Sequence, residues 1–149
     1  MSYWDTSALV KLFVQEKDSP AFHVHAAGMP ERLITAELTR LELWSALRRK
    51  EAEDTLLIDV ARQLLSDFDL GCARSEWKLV PDSTDVRAEF ERIVERCCSQ
   101  TPPVFIRTLD SLHIASACAV GETEIVATDR RLREAATLLG FQLFPPRLP

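Results

Sequence analysis

The chain has 149 residues, 46% hydrophobic and 28% charged, enough apolar material for one sizeable core, and a single domain over 1–149 is expected. A formal net charge of −5 excludes a bulk electrostatic grip on nucleic acid, although bound cations can supply positive charge locally. No apolar run approaches the roughly 18 residues of a membrane span and no basic segment leads into a greasy one, so a cytoplasmic protein without a membrane partner is expected.

The first apolar run is very short and ends at Asp5. Leu9, Val10 and Phe13 then share one face of a helix predicted over 6–15. Ser19 and Pro20 read as an N-cap followed by proline at the first helical position, opening a helix to about residue 27 that Gly28 and Pro30 close. A brief strand is predicted over 32–35, and then a long helix over 36–53 with Leu38, Leu41, Trp44 and Leu47. Asp54 can cap a further helix over 55–70, with Gly71 as its C′ residue. Strand 77–80 stops at Pro81, and helix 82–96 carries Val86, Phe90, Ile93 and Val94. Pro102 and Pro103 interrupt the chain before a helix over 107–120, which Gly121 ends. Strand 125–127, helix 130–139 and strand 141–144 complete the order, stopped by Pro145 and Pro146.

Short β-rich runs alternating with helices imply a parallel sheet covered by helices on both faces. Such sheets bind ligands at the carboxyl ends of their strands. Asp5, in Tyr3-Trp4-Asp5-Thr6-Ser7, and Asp129, in Val126-Ala127-Thr128-Asp129-Arg130, both stand where a strand gives way to a helix. Either alone is accounted for as an N-cap.

Two more acids are harder to assign to structure. Glu42 lies mid-helix on a stripe with Leu38 and Ala46, beside Ser45 and Arg49. It either pairs with Arg48 or Arg49 at the helix edge, or is buried and needs its charge compensated. Asp110 heads a stripe through Ile114, Ala117 and Gly121. The macrodipole favours an acid in the first turn, but it does not explain an acid heading an inward face. Four carboxylates in one crevice repel each other unless cations sit between them. Such oxygen-rich sets hold Mg²⁺ or Mn²⁺, which can generate a hydroxide and clamp a phosphate during in-line displacement. Cys72, Cys97, Cys98 and Cys118 form no C-x-x-C pair, and with only His23, His25 and His113 beside them no zinc framework emerges. Buried reduced thiols are expected.

At this point the residues resemble a known family. Asp5, Glu42, Asp110 and Asp129 are similar to the acidic set of PIN-domain nucleases, above all the VapC-type toxins of bacterial and archaeal toxin–antitoxin pairs. The matching text is Asp5-Thr6-Ser7-Ala8-Leu9 with Lys11, then Leu38-Thr39-Arg40-Leu41-Glu42 with Ala46 and Arg49. It continues with Leu109-Asp110-Ser111-Leu112-His113 and Thr128-Asp129-Arg130-Arg131-Leu132, followed by Ala135-Ala136 and Leu139-Gly140. These blocks run in the family's order over nearly the whole chain; Trp4 departs from it, standing where a smaller aliphatic is more usual.

The resemblance implies an α/β fold, a three-layer α/β/α sandwich whose five-stranded parallel sheet has the order 3-2-1-4-5. It implies an endoribonuclease using Mg²⁺ or Mn²⁺ and a metal-activated water, usually on a structured cellular RNA. A cognate antitoxin would block it, and a homodimer would be common. Asp5, Asp110 and Asp129 would be metal ligands, directly or through water. Glu42 would complete the site at a second metal or orient the water. Ser7 and Thr128 would either support the carboxylates or make ordinary helix-start hydrogen bonds. Arg130 and Arg131 would meet substrate phosphates or simply be solvated, as the Arg48-Arg49-Lys50 run would be. His113 reads as a general base or as an ordinary helix histidine. Leu56, Leu57, Val60, Leu64 and Phe68 form a broader apolar surface than one sheet-facing stripe buries, leaving room for the antitoxin or a second copy. If the acids share one site, Asp5→Asn and Asp129→Asn should melt no lower than the parent without metal.

The rivals are a non-catalytic PIN-like module that binds RNA or protein, and a DNA-directed nuclease, since these acids do not read the 2′-hydroxyl. A haloacid-dehalogenase-type phosphotransferase would want a second Asp in Asp5-Thr6-Ser7. A receiver domain, with Asp82 as its candidate acceptor, would want a Lys where Pro145-Pro146 stands.

Overall fold

The computed structural model describes residues 2–30 and 32–148. Among these residues five short strands form one parallel sheet: β1 (Ser2–Trp4), β2 (Leu33–Ala36), β3 (Trp77–Val80), β4 (Glu124–Val126) and β5 (Gln142–Phe144). Their order is β3-β2-β1-β4-β5, all pairs parallel, with Tyr3 opposite both Ile34 and Ile125. The chain turns from one side of β1 to the other between β3 and β4, so the switch point lies between β1 and β4.

The pleat sends alternate residues into two cores, which fixes the layers. Tyr3, Ile34 and Ile125 face a cluster with Val86 and Ile93 of α5 (Thr84–Cys98), Ile114 and Ala117 of α6 (Thr108–Ala119), and Leu132 and Ala135 of α7 (Arg130–Leu138). Trp4 and Val126 face the other way. They meet Ala8 and Leu9 of α1 (Thr6–Leu9), Phe22 of α2 (Ser19–Ala27), Leu43 and Leu47 of α3 (Thr39–Ala52), and Ala61 and Phe68 of α4 (Val60–Ala73). The three-layer α/β/α sandwich and the strand order are those the resemblance implies. Trp4 is fully buried, edge-on to Phe22, with its indole N–H donating to Ser2 Oγ at 3.2 Å.

Several element boundaries differ from the sequence reading, each for a tertiary reason. The first helix is one turn of α1 followed by a 3₁₀ turn, Val10–Leu12. Ala36 belongs to β2, because the ladder with β3 extends to Ala36 opposite Val80. Helix α3 therefore begins at Thr39, whose hydroxyl is 2.6 Å from that of Thr35. Leu43 and Leu47 form its buried face, whereas Leu41 is 69% exposed. Asp54 and Asp59 take left-handed backbone, with φ of 55° and 69°, which delays α4 to Val60. The carboxylate of Glu51, buried on α3, accepts the Ala61 N–H at 2.8 Å and does the work expected of Asp54. The apolar stripe of this region is largely used within the chain: Phe68 is fully buried, and Leu56 and Leu64 pack on the same core. Leu57 and the adjoining Ile58 do stand out, 79% and 81% exposed. All four cysteines are free, but only Cys97 is buried and Cys98 is exposed. Among the described residues no helix is long and apolar enough to cross a membrane.

Gly71 lies inside α4 rather than after it. A Cβ there would come within 2.6 Å of Trp77 Nε1 and 2.8 Å of its Cδ1, both on β3. Alanine would gain about 1 kcal/mol of helix propensity, but overpacking against a buried-edge indole costs about 1–3 kcal/mol. Gly71→Ala is therefore expected to be destabilised in urea unfolding despite its better helix former.

Candidate active site

The carboxyl ends of β1 and β4 deliver Asp5 and Asp129 side by side, and each caps the helix that follows. Asp5 accepts the Ser7 N–H at 3.0 Å, and Asp129 accepts those of Arg131 and Leu132 at 2.9 and 3.2 Å. Capping and a shared crevice are therefore compatible. The two helix starts are tied together by Ser7, whose hydroxyl accepts the N–H groups of Thr128 and Asp129 at 2.8 and 3.2 Å. The Thr128 hydroxyl donates back to the Ser7 carbonyl at 3.3 Å. Ser7 and Thr128 thus set the spacing of the two loops, and Ser7 also supports the Asp5 carboxylate directly.

Glu42 reaches the same edge from α3, and its partners are neither Arg48 nor Arg49. Its Oε2 accepts from the Thr6 hydroxyl at 2.5 Å and lies 2.6 Å from His113 Nε2. Arg48 pairs instead with Glu51. His113, on α6, is 1% exposed and also lies 3.4 Å from Asp5 Oδ1. Its other nitrogen, Nδ1, meets the fully buried Tyr3 hydroxyl at 2.7 Å. Asp5, Glu42 and His113 each offer a ligand atom within 4.8 Å of the other two.

Asp110 stands in the first turn of α6, 6% exposed above Ile114 and Ala117. Arg107, the N-cap residue of that helix, forks onto it: Nε to Oδ2 at 2.7 Å and Nη2 to Oδ1 at 3.1 Å. The same Nη2 donates to Asp129 Oδ2 at 2.7 Å. Arg130 and Arg131 are both exposed at the start of α7, beside Asp129.

The electrostatics follow from burial and these pairings. Burial lifts the Asp5 carboxyl above the ordinary aspartate range, against the pull of His113 and Ser7. Burial acts the same way on Glu42, but hydrogen bonding and attraction from His113, aided by Thr6 and Arg107, outweigh it and lower its pKa. For His113 burial alone would favour the neutral ring; Asp5 and Glu42 overcome it and raise the imidazole pKa. Tyr3 is held neutral, its pKa pushed far up by burial and by Asp5. Asp5 and Glu42 thus both favour the protonated imidazole, and His113 in turn favours their ionised forms.

Sequence reasoning singled out the four acids but not Arg107, Thr6 or Tyr3, and it left His113 open between base and ordinary histidine. The pattern Arg107-Thr108-Leu109-Asp110 did carry a local signal, an Arg three residues before a helix acid. The Tyr3–His113 and Thr6–Glu42 contacts span 110 and 36 residues and had none.

A doubly wound parallel sheet with an acid-lined crevice at its switch point is the class these features define. The family model of the PIN domain matches residues 2–138, and the chain belongs to the PIN-domain family. Ribonuclease VapC35 of Mycobacterium tuberculosis is 30% identical over 151 residues, covering 98% of this chain and 97% of that protein. Among solved structures, Mycobacterium tuberculosis VapC20, described as a sarcin-ricin loop cleaving toxin, superposes with a TM-score of 0.70 at 17% identity, covering 100% of both chains. VapBC2 of Rickettsia felis, solved bound to a DNA fragment from their promoter, gives 0.63 at 14% identity, covering 96% of this chain and 97% of that one. At such identities the structural likenesses speak for the fold.

Proposed function

We propose that this chain is a divalent-cation-dependent endoribonuclease, acting as one PIN-like domain and as the toxin of a toxin–antitoxin pair. The observation that carries this reading is the convergence of Asp5, Glu42 and His113 within 4.8 Å, beside Asp110 and Asp129, at the carboxyl edge of the sheet. Relatives named ribonuclease over nearly their full length support the chemistry. The donor set fits a hard cation: carboxylate oxygens dominate it, and the one nitrogen, His113 Nε2, is engaged by Glu42. Burial raises the pKa of the Asp5 carboxyl, so a nearby cation would favour its ionised form.

Asp5, Asp110 and Asp129 would hold Mg²⁺ or Mn²⁺, with Glu42 at a second position or orienting the water. When bound, such a cation lowers the pKa of water and neutralises charge on the phosphodiester. The chain's own part is positional. Thr6 and His113 both hold Oε2 of Glu42, and Ser7 fixes the distance between the two capping loops. Arg130 and Arg131, exposed at the rim, would meet phosphates of the incoming strand. A cognate antitoxin, a homodimer and a cytoplasmic site of action belong to the same proposal and rest on the family resemblance.

Purified protein is expected to cut RNA with Mg²⁺ or Mn²⁺ and to lose all cleavage in EDTA. Asp5→Asn prepared identically controls for contaminating ribonuclease. Cleavage undiminished in EDTA refutes the metal mechanism. DNA run beside RNA reads the nucleic-acid preference, and cleavage of DNA alone refutes the ribonuclease assignment.

A further inference from the structure

Arg107 occupies oxygens that a cation would need. Both Asp110 oxygens accept from its guanidinium, at 2.7 and 3.1 Å. Asp129 Oδ1 is committed to the Arg131 and Leu132 N–H groups, and its Oδ2 accepts from Arg107 at 2.7 Å. A divalent ion ligated by Asp110 and by Asp129 Oδ2 therefore competes with Arg107 for the same lone pairs, and two cations so close repel. Hard oxygen ligands favour the divalent ion.

The position of Arg107 says where the guanidinium goes next. Its side chain is 53% exposed while that of Asp110 is 9% exposed, so the guanidinium stands on the solvent side of the pair with the carboxylate beneath. Its backbone is extended, at the end of an irregular segment leading into α6. A phosphodiester approaching Asp110 from solvent therefore meets the guanidinium first. A planar guanidinium matches phosphate oxygens in the way it matches carboxylate oxygens.

We propose that Arg107 exchanges partners, holding Asp110 and Asp129 together until a divalent cation takes their oxygens and then binding a phosphate oxygen of the RNA. This rests on reading the crevice as a cation site in a ribonuclease. Before metal arrives Arg107 keeps the two acids from repelling each other; afterwards it adds substrate affinity. It also sets the concentration at which metal enters.

The test uses the full chain with Arg107→Gln and Arg107→Lys, each first checked for a cooperative melt. Calorimetric titration with Mn²⁺ alone, without RNA, is expected to show ~10-fold tighter binding for Arg107→Gln, because nothing has to be displaced. Labelled RNA is then titrated at saturating Mn²⁺, in a Glu42→Gln background so that it is not cut. Arg107→Gln is expected to weaken the RNA Kd by ~10-fold. Arg107→Lys, which keeps the charge without the fork, should fall between on both readouts. A purely structural brace predicts unchanged or weaker Mn²⁺ binding, and that result overturns the exchange. Tighter Mn²⁺ binding with an unchanged RNA Kd overturns it too. A parent chain that takes up no Mn²⁺ refutes the cation site itself, an outcome distinct from equal Mn²⁺ affinity in parent and variant.

Discussion

Asp5→Asn is expected to lose RNA cleavage by on the order of 10³-fold or more while melting no lower than the parent in EDTA. Asparagine caps a helix about as well as aspartate, so the bond from the Ser7 N–H survives the change. What disappears is the charge. The folded-state pKa of Asp5 is raised, chiefly by burial at 4% exposure, so at neutral pH its ionised form costs stability relative to the unfolded chain. Removing that charge removes the cost, and Mn²⁺ can no longer repay it.

Asp129→Asn and Asp110→Asn are expected to differ from Asp5→Asn, because Arg107 pairs with both carboxylates. Asp129→Asn keeps both capping bonds but gives up a partly exposed ion pair, whose worth is about 0–1 kcal/mol. Its melting temperature in EDTA should therefore be slightly below the parent, not above it. Asp110→Asn, whose carboxylate is more deeply placed and bidentate, should fall further. In all of these, and in Glu42→Gln, stabilisation by Mn²⁺ should shrink from the parent value of about 2.7 kcal/mol at a hundredfold excess over Kd. Melting of each variant with and without Mn²⁺, at fixed concentrations, separates the readings. Undiminished Mn²⁺ stabilisation in all four would leave two caps, an ion-paired helix acid and a buried Glu42, with no shared site.

The fold was legible in the sequence wherever local periodicity decided it. The alternation of short β-rich runs with amphipathic helices is a property of neighbouring residues, and so are the caps at Asp5 and Asp129 and the helix stop at Gly121. What escaped was set by residues distant in the chain. Ala36 reads as a helix start until β3 offers it Val80 as a ladder partner. Asp54 reads as a cap until Glu51 of the preceding helix supplies the acceptor. The site divides in the same way. Two of the acids stood out by conflict with their own helices, Glu42 mid-stripe and Asp110 at the head of a buried face. The cations that balance them did not conflict with anything: His113 and Arg107 look ordinary until the sheet brings Asp5, Glu42 and Asp129 to them.

Replacing His113 by leucine is expected to cost about 3 kcal/mol near pH 6, the lower end for breaking a buried charge pair, since Glu42 keeps some exposure. The volume is nearly conserved, so the loss is electrostatic rather than a cavity. It removes the cation facing Asp5 and Glu42 and leaves the buried Tyr3 hydroxyl without its 2.7 Å partner. Tyr3→Phe, which removes the hydroxyl and keeps the ring, should lose about 1–2 kcal/mol. The pH dependence carries the sharper test. His113 has a raised pKa in the folded state, so its stabilisation is full below the unfolded value of about 6.5 and is lost as pH rises through the folded value. Glu42 has a lowered pKa, so its contribution is present above about 4.3 and is lost as pH falls through the folded value. Stability in EDTA should therefore peak between these limits and decline toward pH 9. Asp5 titrates within the same cluster, so the comparison is cleanest in an Asp5→Asn background, where Glu42 is the one carboxylate touching the imidazole. There the alkaline decline should persist with His113 and vanish with leucine. A decline of equal size in both would show that His113 is not the proton the site holds.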